Sequence, residues 1–146
     1  MLKDINHWLF KNSLYLAWSV ALVSLVGSFY FGEIVGLEPC VLCWYQRIAM
    51  YPLVAIIWAG IIRRDKAVSS YTLPLSIIGG SIALYHNLLI WRIIPESLEP
   101  CAIGTVPCIT QSFAALGFIT FPLLSLVSFI LITGLMFAHR SAHSHD

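Results

Sequence analysis

Charged side chains are scarce in this chain of 146 residues, where Asp, Glu, Lys and Arg together make up 10% and hydrophobic residues 59%. Soluble domains are nearer 25% charged, so the chain lacks the polar surface that a globule in water needs. Four segments contain no Asp, Glu, Lys or Arg at all: 14–32, 48–62, 71–91 and 109–138. This pattern excludes an ordinary soluble enzyme and indicates a membrane protein.

The four uncharged segments predict four membrane helices, since a spanning helix needs about 20 mostly apolar residues. The second segment reaches that length if it begins near Cys43 and carries Arg47 at its polar edge. No small-x-small cleavage site follows the first segment, so we expect an uncleaved helix there and not a signal peptide. We therefore predict an all-α, single-domain transmembrane four-helix bundle with helices at about 14–35, 43–62, 71–94 and 113–138.

Positively charged residues are concentrated at one end of the predicted bundle. Six of the eight Lys and Arg residues lie before the first helix, in the second connection or after the fourth helix. By the positive-inside rule, the N and C termini face the cytoplasm. The first and third connections, which carry the cysteines, then face outward, into the compartment where disulfides form and persist.

Cysteine is also rare, with four residues in two pairs. Cys40 and Cys43 form a Cys-x-x-Cys motif at the head of the second helix, a spacing that suits reversible disulfide chemistry or metal binding. A thiolate there is stabilised by the positive end of the helix dipole. Arg47 lies four residues after Cys43 on the same helix face. It could hold Cys43 as a thiolate and donate hydrogen bonds to a carbonyl of a bound acceptor, although an isolated arginine here would be an interfacial snorkelling residue.

The second pair, Cys101 and Cys108, allows two interpretations. A disulfide between them could be a structural clip on the loop, or an accessible bond that undergoes exchange with an incoming thiolate. A zinc site built from all four cysteines is disfavoured, because the spacing is loose for a zinc ribbon and the location is oxidising. No metal ligand is therefore predicted.

The histidines fall into two groups. His86 stands within an apolar run, where an ionisable side chain is either functional or paired inside the bundle. The other group is expected to form a solvated polar tail: His139, His143 and His145. Helix 3 also carries small residues that predict a packing face: Ser76, Gly79, Gly80 and Ala83.

The segment Glu38-Pro39-Cys40-Val41-Leu42-Cys43-Trp44-Tyr45-Gln46-Arg47, at the head of the second of four helices, resembles the DsbB family of disulfide-bond formation proteins. Tyr85-His86 and the outward pair Cys101/Cys108 also fit this family. The short loop between Cys101 and Cys108 is similar to that of the compact BdbC-type members of Gram-positive bacteria. Vitamin K epoxide reductases are similar bundles, but they carry Cys-x-x-Cys late in the chain.

The resemblance implies a bacterial cell-membrane thiol:quinone oxidoreductase. Its partner would be an extracytoplasmic DsbA-like thioredoxin-fold thiol oxidase, and its acceptor a quinone, either menaquinone or ubiquinone. On this basis Cys40 and Cys43 are the quinone-coupled pair, with Cys43 facing the ring beside Arg47 and His86. The resemblance also implies that Cys101 forms the mixed disulfide with the partner and that Cys108 resolves it.

Two other functions compete with this hypothesis. One is a structural membrane protein whose disulfides merely clip its loops, which predicts slow reduction of both pairs and no quinone-dependent reoxidation. The other is a transporter subunit, which the lack of acidic residues inside the apolar segments disfavours.

Overall fold

A computed structural model describes residues 2–36, 40–93 and 120–143. In these residues the chain forms four α-helices: α1 (Leu2–Phe29), α2 (Val41–Arg63), α3 (Val68–Ile90) and α4 (Phe121–His143). A short π-helix, Tyr30–Ile34, extends α1. The all-α prediction is confirmed. Residues 113–119 of the predicted fourth helix lie outside the described residues.

Within the described parts of the chain, four helices are long and apolar enough to cross a membrane. The stretch of α1 and its π-helix that meets this criterion is Asn12–Ile34, although α1 itself begins at Leu2. The helices pack in a ring, α1 on α2, α2 on α3, α3 on α4 and α4 on α1. This is the transmembrane four-helix bundle that the sequence predicts.

Two sharp turns end α2 and α3 in the same way. Arg64 and Arg92 each take a left-handed conformation, with φ of 52° and 54°. After α2, the Asp65 amide donates to the Gly60 carbonyl, and after α3 the Ile93 amide donates to the Leu88 carbonyl. These bonds satisfy the last carbonyls of each helix as in the Schellman motif, so the chain leaves each helix in a defined direction.

Small residues let α3 and α4 approach closely, as the sequence predicts for this face. Phe129 of α4 is 1% exposed and lies directly against Gly79, where an added Cβ would overlap the ring. Ser76 and Ala83 are fully buried on the same helix. Ser76 Oγ also lies 3.0 Å from Thr133 Oγ1 of α4, so a side-chain hydrogen bond joins the helices.

The histidine after the fourth apolar segment does not lie in a solvated tail, and that part of the prediction is wrong for His139. Helix α4 continues to His143, and this places His139 against α3 with only 7% of its surface exposed. Its Nδ1 lies 2.9 Å from Ser69 Oγ. Because α4 continues past its apolar segment, a polar residue of the presumed tail is buried beside a hydrogen-bonding partner.

Candidate active site

The Cys-x-x-Cys pair lies at the N-terminus of α2. Cys40 is the N-cap residue, in extended backbone with φ −66° and ψ 168°, and the Trp44 amide donates to its carbonyl. Cys43 therefore lies in the first turn, near the positive end of the helix dipole. The two Sγ atoms are 3.2 Å apart, which is too far for a disulfide bond of about 2.05 Å but close enough for one to form with little movement.

His86 of α3 completes a compact group with the two cysteines. Its Nε2 lies 3.8 Å from Cys40 Sγ, and its Nδ1 lies 3.1 Å from Gln46 Nε2. Cys40 and His86 are 2% and 1% exposed, so their interactions are shielded from solvent. Gln46 can act as donor or acceptor, and it therefore orients the imidazole ring with one nitrogen toward the sulfur.

Hydrogen bonding in this group favours negative charge on Cys40. The pKa of Cys40 lies well below its ordinary range, chiefly because of its side-chain hydrogen bond with Cys43. Burial opposes the shift, and the hydrogen bond and charge of His86 add to it. The sequence suggested Cys43 as the thiolate because Arg47 shares its helix face. The hydrogen bond from Cys43 favours Cys40 instead, and the His86 contact, which spacing along α2 cannot reveal, adds to this preference.

Arg47 lies between α2 and the end of α1. Its Nη2 donates to the Ser28 carbonyl at 2.8 Å, and its Cζ lies 5.7 Å from the centre of the Trp44 ring. Gly32, within the π-helix, makes room for the guanidinium: a Cβ at this position would lie 2.6 Å from Arg47 Nη2. π-helices are rare and often occur at functional sites, and here the π-helix borders the cationic side chain.

A cavity of about 340 Å³ opens beside this group, between α1, α2 and α4. Its polar wall is formed by Cys43, Gln46, Arg47 and His86. Most of the remaining lining is apolar or hydroxyl-bearing, including Val23, Leu25, Met50, Phe121 and Leu124. Small-molecule sites have this character, a largely apolar cavity with a few convergent polar groups. The arrangement suits a flat polar head next to Cys43 with an apolar chain extending from it.

The structure thus brings together four of the residues singled out in the sequence: Cys40, Cys43, Arg47 and His86. Cys43, Arg47 and His86 line the cavity, whereas Cys40 is not part of its lining. Cys101 and Cys108 lie outside the described residues. Sequence reasoning gave no role to Gln46, although its position three residues after Cys43 on a helix could have indicated one. No pattern in the sequence indicates the contribution of Gly32, because this contribution depends on how α1 packs against α2.

The family model described as disulfide bond formation protein DsbB matches residues 11–139. The chain belongs to the DsbB family.

Relatives within the family include bacterial disulfide formation proteins. The chain is 47% identical over 121 residues to disulfide bond formation protein C of Bacillus subtilis, covering 82% of this chain and 86% of the relative. It is 42% identical over 122 residues to probable disulfide formation protein C 1 of Bacillus anthracis, covering 84% and 87%. A probable disulfide formation protein of Metapseudomonas resinovorans is 39% identical over 129 residues, covering 88% and 90%. No solved structure matches the chain significantly. Membership supports a role in disulfide bond formation for this multi-pass membrane protein.

Proposed function

We propose that this protein is a membrane thiol:quinone oxidoreductase that reoxidises an extracytoplasmic thioredoxin-fold thiol oxidase. The observation that carries the proposal is the cavity wall, where Cys43, Arg47 and His86 face one space. The family relationship supplies the disulfide chemistry, and the cavity supplies a place for a lipid-soluble acceptor. A quinone bound there would accept two electrons and two protons from the cysteine pair.

The residues of the polar wall fit a quinone head group. The cavity volume of about 340 Å³ falls within the range of about 300–1,000 Å³ found for small-molecule sites. Arg47 carries five N–H donors in a planar fork, and its position on the wall lets it hold a carbonyl oxygen. The apolar lining suits the isoprenoid chain. Menaquinone and ubiquinone both satisfy these requirements.

The proposed reaction transfers one electron pair through two disulfides. The dithiol of the partner reduces the Cys101–Cys108 disulfide, and the partner leaves with a new disulfide of its own. The Cys101/Cys108 dithiol then reduces the Cys40–Cys43 disulfide by thiol exchange. Finally, the Cys40 thiolate attacks the Cys43 sulfur as the Cys43 S–H bond breaks, and the bond between the two sulfurs closes. The electron pair and two protons leave to the acceptor, and both disulfides of the protein are restored.

His86 and Gln46 support the last step. The Cys40 sulfur must be a thiolate to attack, because the thiol is a poor nucleophile. His86 Nε2, 3.8 Å from that sulfur, is placed to stabilise the negative charge and to take up a proton. Gln46 keeps the ring in this orientation through Nδ1.

The proposed topology follows from charge. The positive-inside rule sets both termini and the α2–α3 turn in the cytoplasm. The N-terminus of α2 then lies at the outer surface of the membrane. Both cysteine pairs are consequently within reach of an extracytoplasmic partner. Cysteine-accessibility labelling of Ser144→Cys in the C-terminal tail of intact cells tests the orientation, since only a membrane-permeant reagent should react with it.

Quinone reduction by the purified protein tests the function directly. The full chain in lipid nanodiscs is mixed with a reduced thioredoxin-fold oxidase and a soluble quinone, and quinone absorbance is followed. We expect continuous quinone reduction that Cys43→Ser abolishes. The double variant Cys101→Ser/Cys108→Ser should lose activity with the partner but retain activity with dithiothreitol. If quinone reduction by the wild-type chain is no faster than by Cys43→Ser, the disulfides are structural and the proposal is wrong.

A further inference from the structure

The group of Cys40, Cys43 and His86 also has the composition of a metal site. One potential ligand atom from each residue lies within 4.8 Å of the other two. The two sulfurs are 3.2 Å apart, and Cys40 Sγ is 3.8 Å from His86 Nε2. Zn–S and Zn–N bonds of about 2.3 and 2.0–2.1 Å place the ligand atoms of a tetrahedral site about 3.5–3.8 Å apart. Cys40 Sγ and His86 Nε2 already have this spacing, and the two sulfurs would separate by about 0.5 Å, so modest movements of the side chains would centre an ion among the three ligand atoms.

The surroundings supply the other parts of such a site. Metal-bound histidine usually gives the hydrogen of its second nitrogen to an oxygen that fixes the ring. Gln46 faces Nδ1 of His86 at 3.1 Å, and its amide can present oxygen there instead of nitrogen. Cys43 and His86 also line the cavity. A fourth ligand position is thus open to water, as in zinc sites with three protein ligands.

We propose that the reduced Cys40–Cys43 pair and His86 bind one zinc ion and that this ion inhibits the protein. Binding displaces the two thiol protons and involves no change of oxidation state. Two thiolates balance the two charges of the ion, so the occupied site adds no net charge beside Arg47. The Cys40–Cys43 disulfide has no thiolate to offer, so binding and catalysis exclude one another. Bound zinc therefore keeps the cysteine pair in its reduced form and prevents the pair from passing electrons to the acceptor.

His86 is a ligand that the spacing of the cysteines in the sequence could not predict. The sequence argued against zinc on the basis of four cysteines in two loops. The structure instead assembles two cysteines of α2 with a histidine of α3. The redox role of the pair is unchanged by this site, since the ion competes only for the reduced form.

Cobalt binding tests the site apart from any enzyme activity. The full-length chain carrying Cys101→Ser/Cys108→Ser, which leaves one cysteine pair, is reduced with a phosphine and titrated anaerobically with Co²⁺. We expect one Co²⁺ per chain, with a thiolate-to-cobalt charge-transfer band and the intense visible bands of a tetrahedral site. Added Zn²⁺ should abolish both. The oxidised chain, which is the matched control for folding, should give neither.

Substitutions separate this site from adventitious binding. In the same background, His86→Ala should weaken Co²⁺ binding by more than about tenfold, the loss that already follows removal of an outer-shell partner. His139→Ala removes a buried histidine of α4 that hydrogen-bonds to Ser69 and should leave binding unchanged. Absence of the charge-transfer band in the reduced chain would overturn the site. Equal binding by the oxidised chain or by His86→Ala would do the same.

The inhibitory effect rests on the proposed function and has its own readout. Zn²⁺ added to the wild-type chain during turnover should stop quinone reduction, and a chelator should restore it. If Co²⁺ binds as described but Zn²⁺ leaves turnover unchanged, inhibition is wrong and the site stands. If no variant reduces quinone, the proposed function fails while the binding experiment still decides the metal site.

Discussion

Gly32→Ala is the sharpest test of how Arg47 is held. The new Cβ would lie 2.6 Å from Nη2, 3.1 Å from Nη1 and 3.3 Å from Cζ of Arg47. Ordinary contacts begin near 3.4 Å, so the guanidinium must move by about 1 Å or leave the π-helix altogether. Either movement breaks its bond to the Ser28 carbonyl.

The expected size of the effect follows from this displacement. A hydrogen bond from a charged group contributes about 1.5–3 kcal/mol, and a misplacement of about 1 Å in a catalytic group can cost on the order of a hundredfold in rate. We therefore expect kcat/KM for quinone to fall about 10- to 100-fold in Gly32→Ala. Helix content and thermal unfolding should change little, because alanine favours helices over glycine.

The assay is steady-state quinone reduction with dithiothreitol as donor, which bypasses the partner protein. Gly134→Ala is the matched control, because a Cβ at that position of α4 meets nothing within 4 Å. A second control combines Gly32→Ala with Arg47→Lys. If both changes act through the same contact, the pair should cost little more than the larger single effect. A kcat/KM for Gly32→Ala within about twofold of wild type would refute the role given to this contact.

Three further substitutions test other parts of the molecule. Gln46→Leu removes the side chain that orients His86, so kcat for quinone reduction should fall about tenfold with a smaller change in KM; unchanged kcat would mean that the ring needs no such partner. Gly79→Ala forces a side chain into the α3–α4 contact and should lower the free energy of unfolding by about 1–3 kcal/mol. Gly80→Ala is the control and should leave this free energy nearly unchanged. Chemical unfolding in detergent measures both. Ser69→Ala breaks a buried hydrogen bond and should cost about 1–2 kcal/mol of stability without slowing quinone reduction; slowed turnover would show that the two ends of the bundle are coupled.

The architecture could be predicted because it depends on properties that are local in sequence. Long uncharged segments require helices in a bilayer, and the prolines and charges between them limit where the helices end. The position of the Cys-x-x-Cys motif at the head of α2 and the shared face of Cys43 and Arg47 follow from the same local rules. The burial of His139 near the end of α4 does not follow from local rules, because it depends on Ser69 of another helix lying beside it.

The detailed chemistry of the site could not be predicted because it depends on contacts between helices. His86 is remote from the cysteines in sequence, and its approach to Cys40 requires α2 and α3 to pack in one register. The same holds for Gly32, whose missing side chain matters only because Arg47 rests against it. Spacing along one helix suggested a thiolate at Cys43, whereas the hydrogen bond between the two cysteines favours Cys40, and the contact with His86 of another helix adds to it.

The bond between Arg47 and the Ser28 carbonyl links acceptor binding to the attachment of α1. Arg47 has five N–H donors, so it can hold a bound carbonyl while Nη2 keeps its bond to Ser28, and a bound acceptor would then strengthen the attachment of α1 to α2. Thermodynamic linkage requires the reverse effect to be equal in size. Any lipid or partner that loosens the end of α1 would therefore lower the affinity of the cavity for its acceptor by the same factor. The membrane environment of the first helix would thus tune acceptor binding at the site without contacting either sulfur.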